Sequence, residues 1–186
     1  MAGFRTHRPV LLITAVFSRY PAALDWARQC CERHWGPVAL ASERFAFVET
    51  PYYEKTMGPG LEKMFLAFHE LVDPARLAAL KHQSNDWEEQ CVRELAHEHA
   101  WTESRPLNLD PGYLTEAKLI LASTKDRDHR IYLSDGVFAE QTLHFHRGHW
   151  QPREWTYPNY RRADYHQFFD RCRVYLRERY AGEPSR

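Results

Sequence analysis

The sequence has no excess of either charge, because 25 Lys and Arg residues balance 25 Asp and Glu residues. A chain without net charge has no overall field that attracts polyanions, so nucleic-acid binding would need a local basic patch. No apolar run approaches the ~20 residues that a membrane-spanning helix needs. The basic N-terminus is not followed by the small-residue cleavage site of a signal peptide. These absences predict a cytoplasmic protein that is not inserted in a membrane.

Cysteine is also scarce, and the four cysteines show neither zinc-like spacing nor an obvious disulfide framework. We therefore expect reduced thiols, with the adjacent pair Cys30-Cys31 packed on a helix. The sequence contains no G-x-x-x-x-G-K-[ST] phosphate loop. No local motif indicates a Ser-His-Asp or Cys-His triad. Function must therefore be argued from less standard groupings of residues.

The residues that are present suit a folded domain. The chain has 186 residues, of which 44% are hydrophobic and 14% aromatic. This length allows a substantial core and favours a single domain over residues 1–186. The aromatic content argues against disorder.

Residues 9–109 are predicted to alternate strands and helices in the order β-α-β-β-α-β, which is typical of a ferredoxin-like fold. Residues 110–180 would add a helix, a β-hairpin and a C-terminal helix at 162–180. The run at 61–71 fits either a helix or a strand, and we favour a strand because Met64, Leu66 and Phe68 would share one face. The fold class is therefore α+β. The elements predicted in the first half are strands at 10–17, within 38–49, at 61–71 and at 106–109, and helices at 22–35, 74–81 and 84–99.

The second half of the predicted fold is built around residues 108–130. Asp110-Pro111 is typical of a helix N-cap followed by a first-turn proline. Apolar or aromatic residues at helical spacing follow at positions 113, 114, 117, 120 and 121. The pattern predicts a helix that ends in a charged cluster at residues 125–130.

Strand-like runs at 129–133 and 137–146 flank Ser134-Asp135-Gly136, which predicts a β-hairpin. A three-residue loop with glycine in the left-handed position keeps one face of the hairpin apolar, whereas a two-residue loop would place Ile131 opposite Glu140. We therefore expect Ile131 and Leu133 to face the core. The expected cross-strand pairs are Leu133 with Val137, Ile131 with Ala139, and Arg130 with Glu140.

Three stretches together resemble a bacterial domain-of-unknown-function family, number 4416. They are NLDPGYLTEAKLILASTKDRDHRIYLSDGVFAE from Asn108, WTYPNYR from Trp155, and PYYEKTMGPGLEKMFLAF from Pro51. The resemblance spans roughly residues 9 to 176. It implies a stand-alone bacterial protein of about this length, with no established activity. The pair His144 and His146 is not part of the family's pattern.

The charged cluster is the main candidate site. A carboxylate with a histidine suits acid–base chemistry, so the candidate catalytic residues are Asp110, His129 and Glu140. Cationic side chains suit a ligand phosphate or carboxylate, and the candidates are Lys118, Lys125 and Arg130. We therefore favour a protein that binds or processes a phosphate-bearing metabolite or nucleotide, and leave open whether it is an enzyme. The alternative is a solvated turn with one helix cap and one cross-strand ion pair.

Three further groupings carry weaker signals. Tyr53 lies in a long loop at 50–60 that could form a ligand wall. The histidines at 144 and 146 would share a strand face with Glu140 and could bind a divalent metal, although His-x-His on an exposed strand is common. Trp155, Tyr157 and Arg161 could stack on bases and contact phosphates of RNA, or could simply cover the sheet. The competing function is therefore an RNA-binding or protein-interaction module without catalysis.

Overall fold

The computed structural model describes residues 6–99 and 101–182. Helices are found at α1 (Pro21–Trp35), α2 (Glu54–Met57), α3 (Leu77–His99) and α4 (Ala163–Ala181). Strands are found at β1 (Val10–Ser18), β2 (Val38–Ala41), β3 (Phe45–Ala46), β4 (Glu62–Val72), β5 (Asn108–Leu114), β6 (Lys118–Ser123), β7 (Ile131–Ser134), β8 (Val137–His146) and β9 (His149–Pro152).

One large antiparallel sheet connects the two halves of the chain. Its strand order is β2-β4-β1-β5-β6-β8-β7, with β3 paired to β4 and β9 paired to β8. Every pairing between neighbouring strands is antiparallel. The protein is therefore a mixed α+β structure, as the sequence predicts.

Both faces of the sheet are covered by helices. Alternate residues of β1, such as Leu12 and Val16, pack with α1 and α3, whereas Leu11 and Ile13 pack on the opposite face with α4. Because both faces are covered, β1 is buried along its whole length, which explains its nearly continuous apolar sequence.

The strand predicted at 61–71 is confirmed as β4. Met64 and Leu66 pack against α1 and α3, and Phe65 packs against α4. The alternation of side chains in a strand gives each face its own apolar set. The helices predicted at 22–35 and 162–180 are also confirmed, as α1 and α4.

The helix predicted after Asp110-Pro111 is wrong, because this segment forms β5 and β6. The apolar residues fit a helical spacing, but pairing of β5 with β1 along its full length decides the structure. Gly112 permits close packing of β5 on β6, since a Cβ there would lie 2.3 Å from the carbonyl oxygen of Ile120. The hydroxyl of Thr115 accepts hydrogen bonds from the turn between the strands.

The hairpin of β7 and β8 matches the prediction only in part. Ile131 pairs with Ala139 as expected, but Val137 pairs with Ser134 and not with Leu133. Asp135 and Gly136 both have positive φ, of 51° and 74°, so the turn has two residues, and a bulge restores the register. Ile131 and Leu133 do not face the core, because β7 lies at the sheet edge and Ile131 is 72% exposed.

Three other segments differ from prediction. The first is the loop predicted at 50–60, which contains a 3-10 turn at Pro51–Tyr53 and the short helix α2. The helices predicted at 74–81 and 84–99 are a short 3-10 turn capped by Asp73, followed by the continuous helix α3. Ser84 does not cap a second helix, since its hydroxyl bonds back to the carbonyl of Lys81. The strand expected within 38–49 is divided into β2 and β3.

All four cysteines are free and buried. In the described part of the chain, no helix has the length and apolar character required to cross a membrane.

Candidate functional site

The sheet opens where β5 and β6 separate. β5 pairs with β1 from Asn108 to Leu114 but with β6 only from Gly112 onward. Side chains of α3 replace the missing strand, because Lys81 Nζ donates to the carbonyl of Leu109 at 2.9 Å and Glu88 Oε1 accepts from its N–H at 2.7 Å.

Proline fits the next position on this open side. Backbone groups of alternate residues point to the same side of a strand, so Pro111 places its missing N–H on the side where Leu109 lacks a strand partner. A cavity of about 880 Å³ occupies the opening.

Strand register explains why polar side chains converge in the cavity. Lys63 and Asn108 lie opposite the same residue of β1, and Asp110 lies opposite the next residue on that face. Glu140 joins the same face through its pairing with Leu121. All four side chains therefore project towards the face that α4 covers, and all four line the cavity.

Asp110 is held by two polar side chains. Its carboxylate accepts hydrogen bonds from Lys81 Nζ at 3.0 Å and from Asn108 Nδ2 at 2.8 Å. Burial alone would raise the pKa of Asp110, but the charges of Lys81, Lys63 and Arg105 outweigh it and hold that pKa below its usual value. Asp110 is therefore an ionised carboxylate at neutral pH.

Lys63 occupies the inner end of the cavity with only 3% of its surface exposed. Its ammonium lies 4.5 Å from the ring centre of Tyr160 and between 5.1 and 5.5 Å from those of Phe17, Phe47 and Phe65. Within residues 6–99 and 101–182 it has no carboxylate partner within 4.0 Å. Burial lowers the pKa of Lys63 to about 8, although Asp110 and Glu49 oppose the shift. A substantial fraction of this lysine is therefore neutral near physiological pH.

Glu88 and Arg105 form a second ion pair along the wall. Arg105 donates to Glu88 Oε2 from Nε at 2.9 Å and from Nη2 at 2.8 Å. Burial raises the pKa of Glu88, an effect that Arg105 and Lys81 only partly offset. The pair holds α3 against the chain that leads into β5.

Arg130 forms a closed cluster of hydrogen bonds. Its Nε donates to Glu140 at 2.8 Å, Nη1 donates to Ser123 Oγ and to the carbonyl of Lys125, both at 2.7 Å, and Nη2 donates to Tyr157 Oη at 3.0 Å. The side chains of Arg130 and Glu140 are only 3% and 2% exposed. We call Arg130, Glu140, Ser123 and Tyr157 the Arg130 cluster.

The open end of the cavity carries two further cations, Lys125 and Arg127. Lys125 Nζ donates to the hydroxyl of Tyr52 at 2.8 Å and lies 4.7 Å from its ring centre. This hydrogen bond and the charges of Lys125 and Arg127 lower the pKa of Tyr52. Neither cation has a carboxylate within 4.0 Å in the part of the chain that the structure describes.

The structure brings six of the ten predicted site residues to one cavity. They are Tyr53, Asp110, Lys125, Arg130, Glu140 and Tyr157. Four others lie outside the lining: Lys118, His129, Trp155 and Arg161. Lys118 alternates with Leu119, whose side chain packs towards α4, so Lys118 projects to the opposite face.

The remaining three are held by local contacts. His129 stacks on Trp155 with ring centres 5.3 Å apart, and its Nε2 lies 3.4 Å from Glu140. The indole N–H of Trp155 donates to the carbonyl of Gln141. Arg161 donates to three backbone carbonyls of its own loop. Their predicted roles stay predictions.

Sequence reasoning missed Lys63, Lys81, Glu88 and Arg105, which all line the cavity. A signal for Lys63 was present, because it shares the strand face of Phe65 and so placed a charge at a core position of β4. Lys81 and Glu88 are seven residues apart, which puts them on one helix face. Nothing local marks Arg105.

A metal site built on the histidines is not supported. A bulge in β8 between Gln141 and Leu143 reverses the alternation of side chains, so His144 does not share a face with Glu140 as predicted. Across the described ranges, no group of three or more His, Cys, Asp or Glu could hold a metal ion.

Comparison with known proteins gives one match. The family model described as "Domain of unknown function (DUF4416)" matches residues 8–176 of the 186-residue chain. No curated protein and no solved structure matches the chain. Because the match covers most of the sequence, the chain belongs to the DUF4416 family.

Proposed function

We propose that the cavity binds and processes a small phosphate-bearing metabolite, nucleotides included. The main support for the proposal is that the cavity lining has more cationic side chains than carboxylates to pair with them. Each of the five carboxylates in the lining has a cationic partner: Glu49 with Arg162, Glu88 with Arg105, Glu89 with Arg93, Asp110 with Lys81, and Glu140 with Arg130. Three lining cations have none among the described residues: Lys63, Lys125 and Arg127.

Unpaired cations at a cavity favour an anionic ligand. A phosphate monoester carries a charge of about −1.5 to −2 at neutral pH, which Lys125 and Arg127 together can balance. The planar guanidinium of Arg127 matches two phosphate oxygens at once. The open position of these two side chains lets them meet a phosphate at the entrance while the rest of the ligand enters the cavity.

Aromatic side chains supply a surface for the rest of the ligand. Tyr53 packs edge-on against Phe17, with ring centres 5.0 Å apart, and lines the cavity with Tyr52 and Tyr157. Such rings pack on planar groups such as a nucleobase. The volume of about 880 Å³ lies within the range of ~300–1,000 Å³ typical of small-molecule sites.

Asp110 is the best-supported acid–base group. It is ionised, lines the cavity and retains partial exposure, with 29% of its side chain accessible. The same role for Glu140 has less support, because only 2% of its side chain is exposed. His129 lies outside the lining.

A thermal-shift screen tests the proposal. Phosphorylated metabolites and nucleotides should raise the melting temperature, because a ligand that binds only the folded state stabilises it. Matched dephosphorylated compounds should have little effect. The double variant Lys125→Met/Arg127→Met should lose the response, while Lys118→Met/Arg33→Met, which removes the same two residue types outside the cavity, should keep it. A flat response to the whole panel would contradict the proposal.

The alternative of RNA binding by Trp155, Tyr157 and Arg161 has less support. The polar groups of these side chains are engaged within the protein, by Gln141, Arg130 and nearby backbone carbonyls. Salt-sensitive binding of single-stranded RNA that Trp155→Ala/Arg161→Ala abolishes would favour it.

We also propose that residues 9–109 form a ferredoxin-like core within a single domain. The strand order β5-β1-β4-β2, with α1 and α3 packed on one face, supports the core. The continuous sheet supports the single domain, and limited proteolysis that released a stable N-terminal fragment would contradict it.

A further inference from the structure

Lys63 differs from the other lysines of the cavity in having no hydrogen-bonding partner among the described residues. Lys81 bonds to Asp110 and to the carbonyl of Leu109, and Lys125 bonds to Tyr52. Within residues 6–99 and 101–182, the ammonium of Lys63 lies over aromatic faces, in a buried position at the cavity wall. A buried amine that points into a ligand-sized cavity without a polar partner is placed to react with what the cavity binds.

The groups around Lys63 suit proton transfer. Asp110 and Glu49 are the acidic side chains whose charges act on it, and both line the cavity. Tyr160, whose ring lies 4.5 Å from the ammonium, is buried, and its hydroxyl has no hydrogen-bonding partner in the part of the chain that the structure describes. Burial raises the pKa of Tyr160 well above its usual value, so the phenol keeps its proton and can donate a hydrogen bond.

We propose that Lys63 is a nucleophile that forms an imine with the carbonyl group of a phosphorylated aldehyde or ketone bound in the cavity. The proposal rests on the proposed function, since Lys125 and Arg127 would hold the phosphate. It assigns the carbonyl group of the ligand to the inner end, beside Lys63, and the phosphate to the open end.

The reaction is a condensation without a redox step. The nitrogen lone pair of the neutral amine attacks the carbonyl carbon, a C–N bond forms, and the C=O π electrons move to oxygen, which takes a proton. The carbinolamine then loses this oxygen as water, and the nitrogen lone pair forms the C=N bond. Asp110 carries both protons: it first moves one from the attacking nitrogen to the alkoxide oxygen, and then moves the second from the carbinolamine nitrogen to the departing hydroxyl. Both hydrogens of the amine therefore leave in the water, while Tyr160 donates a hydrogen bond to the carbonyl oxygen.

A substantial fraction of neutral amine is available at Lys63 at physiological pH. With a pKa of about 8, roughly a quarter of Lys63 is neutral at about pH 7.5, compared with roughly 0.1% of an ordinary exposed lysine. The larger fraction of neutral amine increases the reaction rate more than the lower basicity of the nitrogen decreases it. We expect Lys63 to react on the order of 10-fold faster than the exposed Lys55.

Reductive trapping tests the proposal. The intact protein is incubated with pyridoxal 5′-phosphate, a phosphorylated aldehyde, and sodium cyanoborohydride, and the modified peptides are identified by mass spectrometry. The expected result is one dominant adduct, on Lys63. Lys63→Arg should lose it, and Lys118→Met should keep it. Labelling spread over exposed lysines at equal rates, or an unchanged yield in Lys63→Arg, would overturn the proposal.

Two comparisons separate this proposal from the proposed function. If a phosphate ester without a carbonyl group stabilises the protein but Lys63 is not labelled, the imine is wrong and phosphate binding stands. The second outcome is that pyridoxal labels Lys63 as fast as pyridoxal 5′-phosphate and that the Lys125→Met/Arg127→Met variant is labelled normally. The amine is then reactive, but the assignment of the phosphate site is wrong. This result would overturn the proposal that the substrate is phosphorylated.

Discussion

Two buried cations of the same cavity have opposite environments. Arg130 donates four hydrogen bonds and faces a buried carboxylate, so its charge is fully compensated. Lys63 is equally buried, but the described residues give it contacts with aromatic rings and no hydrogen bond or close ion pair. Both residues line the cavity: Lys63 lies on β4, and Arg130 directly precedes β7. The difference lies in what surrounds each charge and not in how deeply it is buried.

A compensated charge and an uncompensated charge have different consequences for stability. Transfer of an ion from water costs several kcal/mol, which good geometry and a full set of hydrogen bonds can offset. The Arg130 cluster meets these conditions and fixes the hairpin against the sheet. Lys63 does not meet them, and a destabilising group beside a cavity is a mark of a functional site.

The largest expected effect follows from breaking the Arg130 cluster. Arg130→Met leaves Glu140 buried without its cation, which should lower the free energy of unfolding by about 3–5 kcal/mol. Urea denaturation measures the change. The double variant Arg130→Met/Glu140→Met should recover much of the stability, because it removes both charges. A loss below about 1 kcal/mol would mean that the pair behaves like an exposed one.

Lys63→Met should raise the free energy of unfolding, whereas Arg130→Met should lower it. The folded-state pKa of about 8 lies below the unfolded value of 10.5, so the unfolded chain binds the proton more tightly. Below about pH 8 the wild type therefore carries the full destabilisation, about 3 kcal/mol, which the variant avoids. As pH rises from 8 to 10.5 the wild type should gain stability relative to the variant.

Denaturation of both proteins at pH 7 and at pH 10.5 checks this prediction. Lys118→Met serves as the control, because Lys118 lies outside the cavity lining. A Lys63→Met variant that is less stable than the wild type at pH 7 would show that the aromatic rings compensate the buried charge.

The contrast between Arg130 and Lys63 also helps to explain which parts of the fold and site could be predicted from the sequence. The Arg130–Glu140 pair was predicted because both residues belong to one hairpin, where register is local. The strand β4 and its two apolar faces followed from alternation. The segment after Asp110-Pro111 was predicted wrongly, because helical spacing and strand alternation both fit its apolar residues, and the pairing with β1 that decides between them joins residues about 100 positions apart.

The cavity itself could not be read from local sequence. It depends on where β6 separates from β5 and on side chains of α3 that bond to the backbone of Leu109. These contacts join three segments, α3, β5 and β6, and the hydrogen bonds of Lys81 and Glu88 to Leu109 span 28 and 21 positions of the chain. Lys63 carries the clearest signal in the sequence, because it is a charge on a core-facing position of the otherwise apolar strand β4.

Asp110→Asn tests the carboxylate that pairs with Lys81 in the cavity wall. The change leaves Lys81 buried without a counter-charge, although its bond to Leu109 remains. We expect a loss of about 1–3 kcal/mol at pH 7. Because the folded-state pKa of Asp110 is depressed below 3.8, this contribution is present above the unfolded pKa and is lost as pH falls through the folded pKa.

Equilibrium denaturation of wild type and Asp110→Asn at pH 7, 5 and 4 measures the difference. The gap between the two should be nearly constant from pH 7 to 5 and should narrow at lower pH. Asp135→Asn, in the exposed β-turn, is the matched control. A gap that does not change down to low pH would place the effect in packing and not in the charge.

The smallest stability effect is expected at the open end, with Lys125→Met. Lys125 is exposed and its main contact is the hydroxyl of the exposed Tyr52, so the melting temperature should not change measurably. The variant should nevertheless raise the pKa of Tyr52 towards its ordinary value, because the hydrogen bond and charge that lower it are removed. Ultraviolet titration of tyrosinate, compared with Tyr52→Phe to identify the Tyr52 component, measures the shift. The response to phosphorylated ligands should weaken in the same variant. If Lys125→Met were as destabilising as Arg130→Met, Lys125 would belong to the compensated cluster, and the open end would not be a binding site for phosphate.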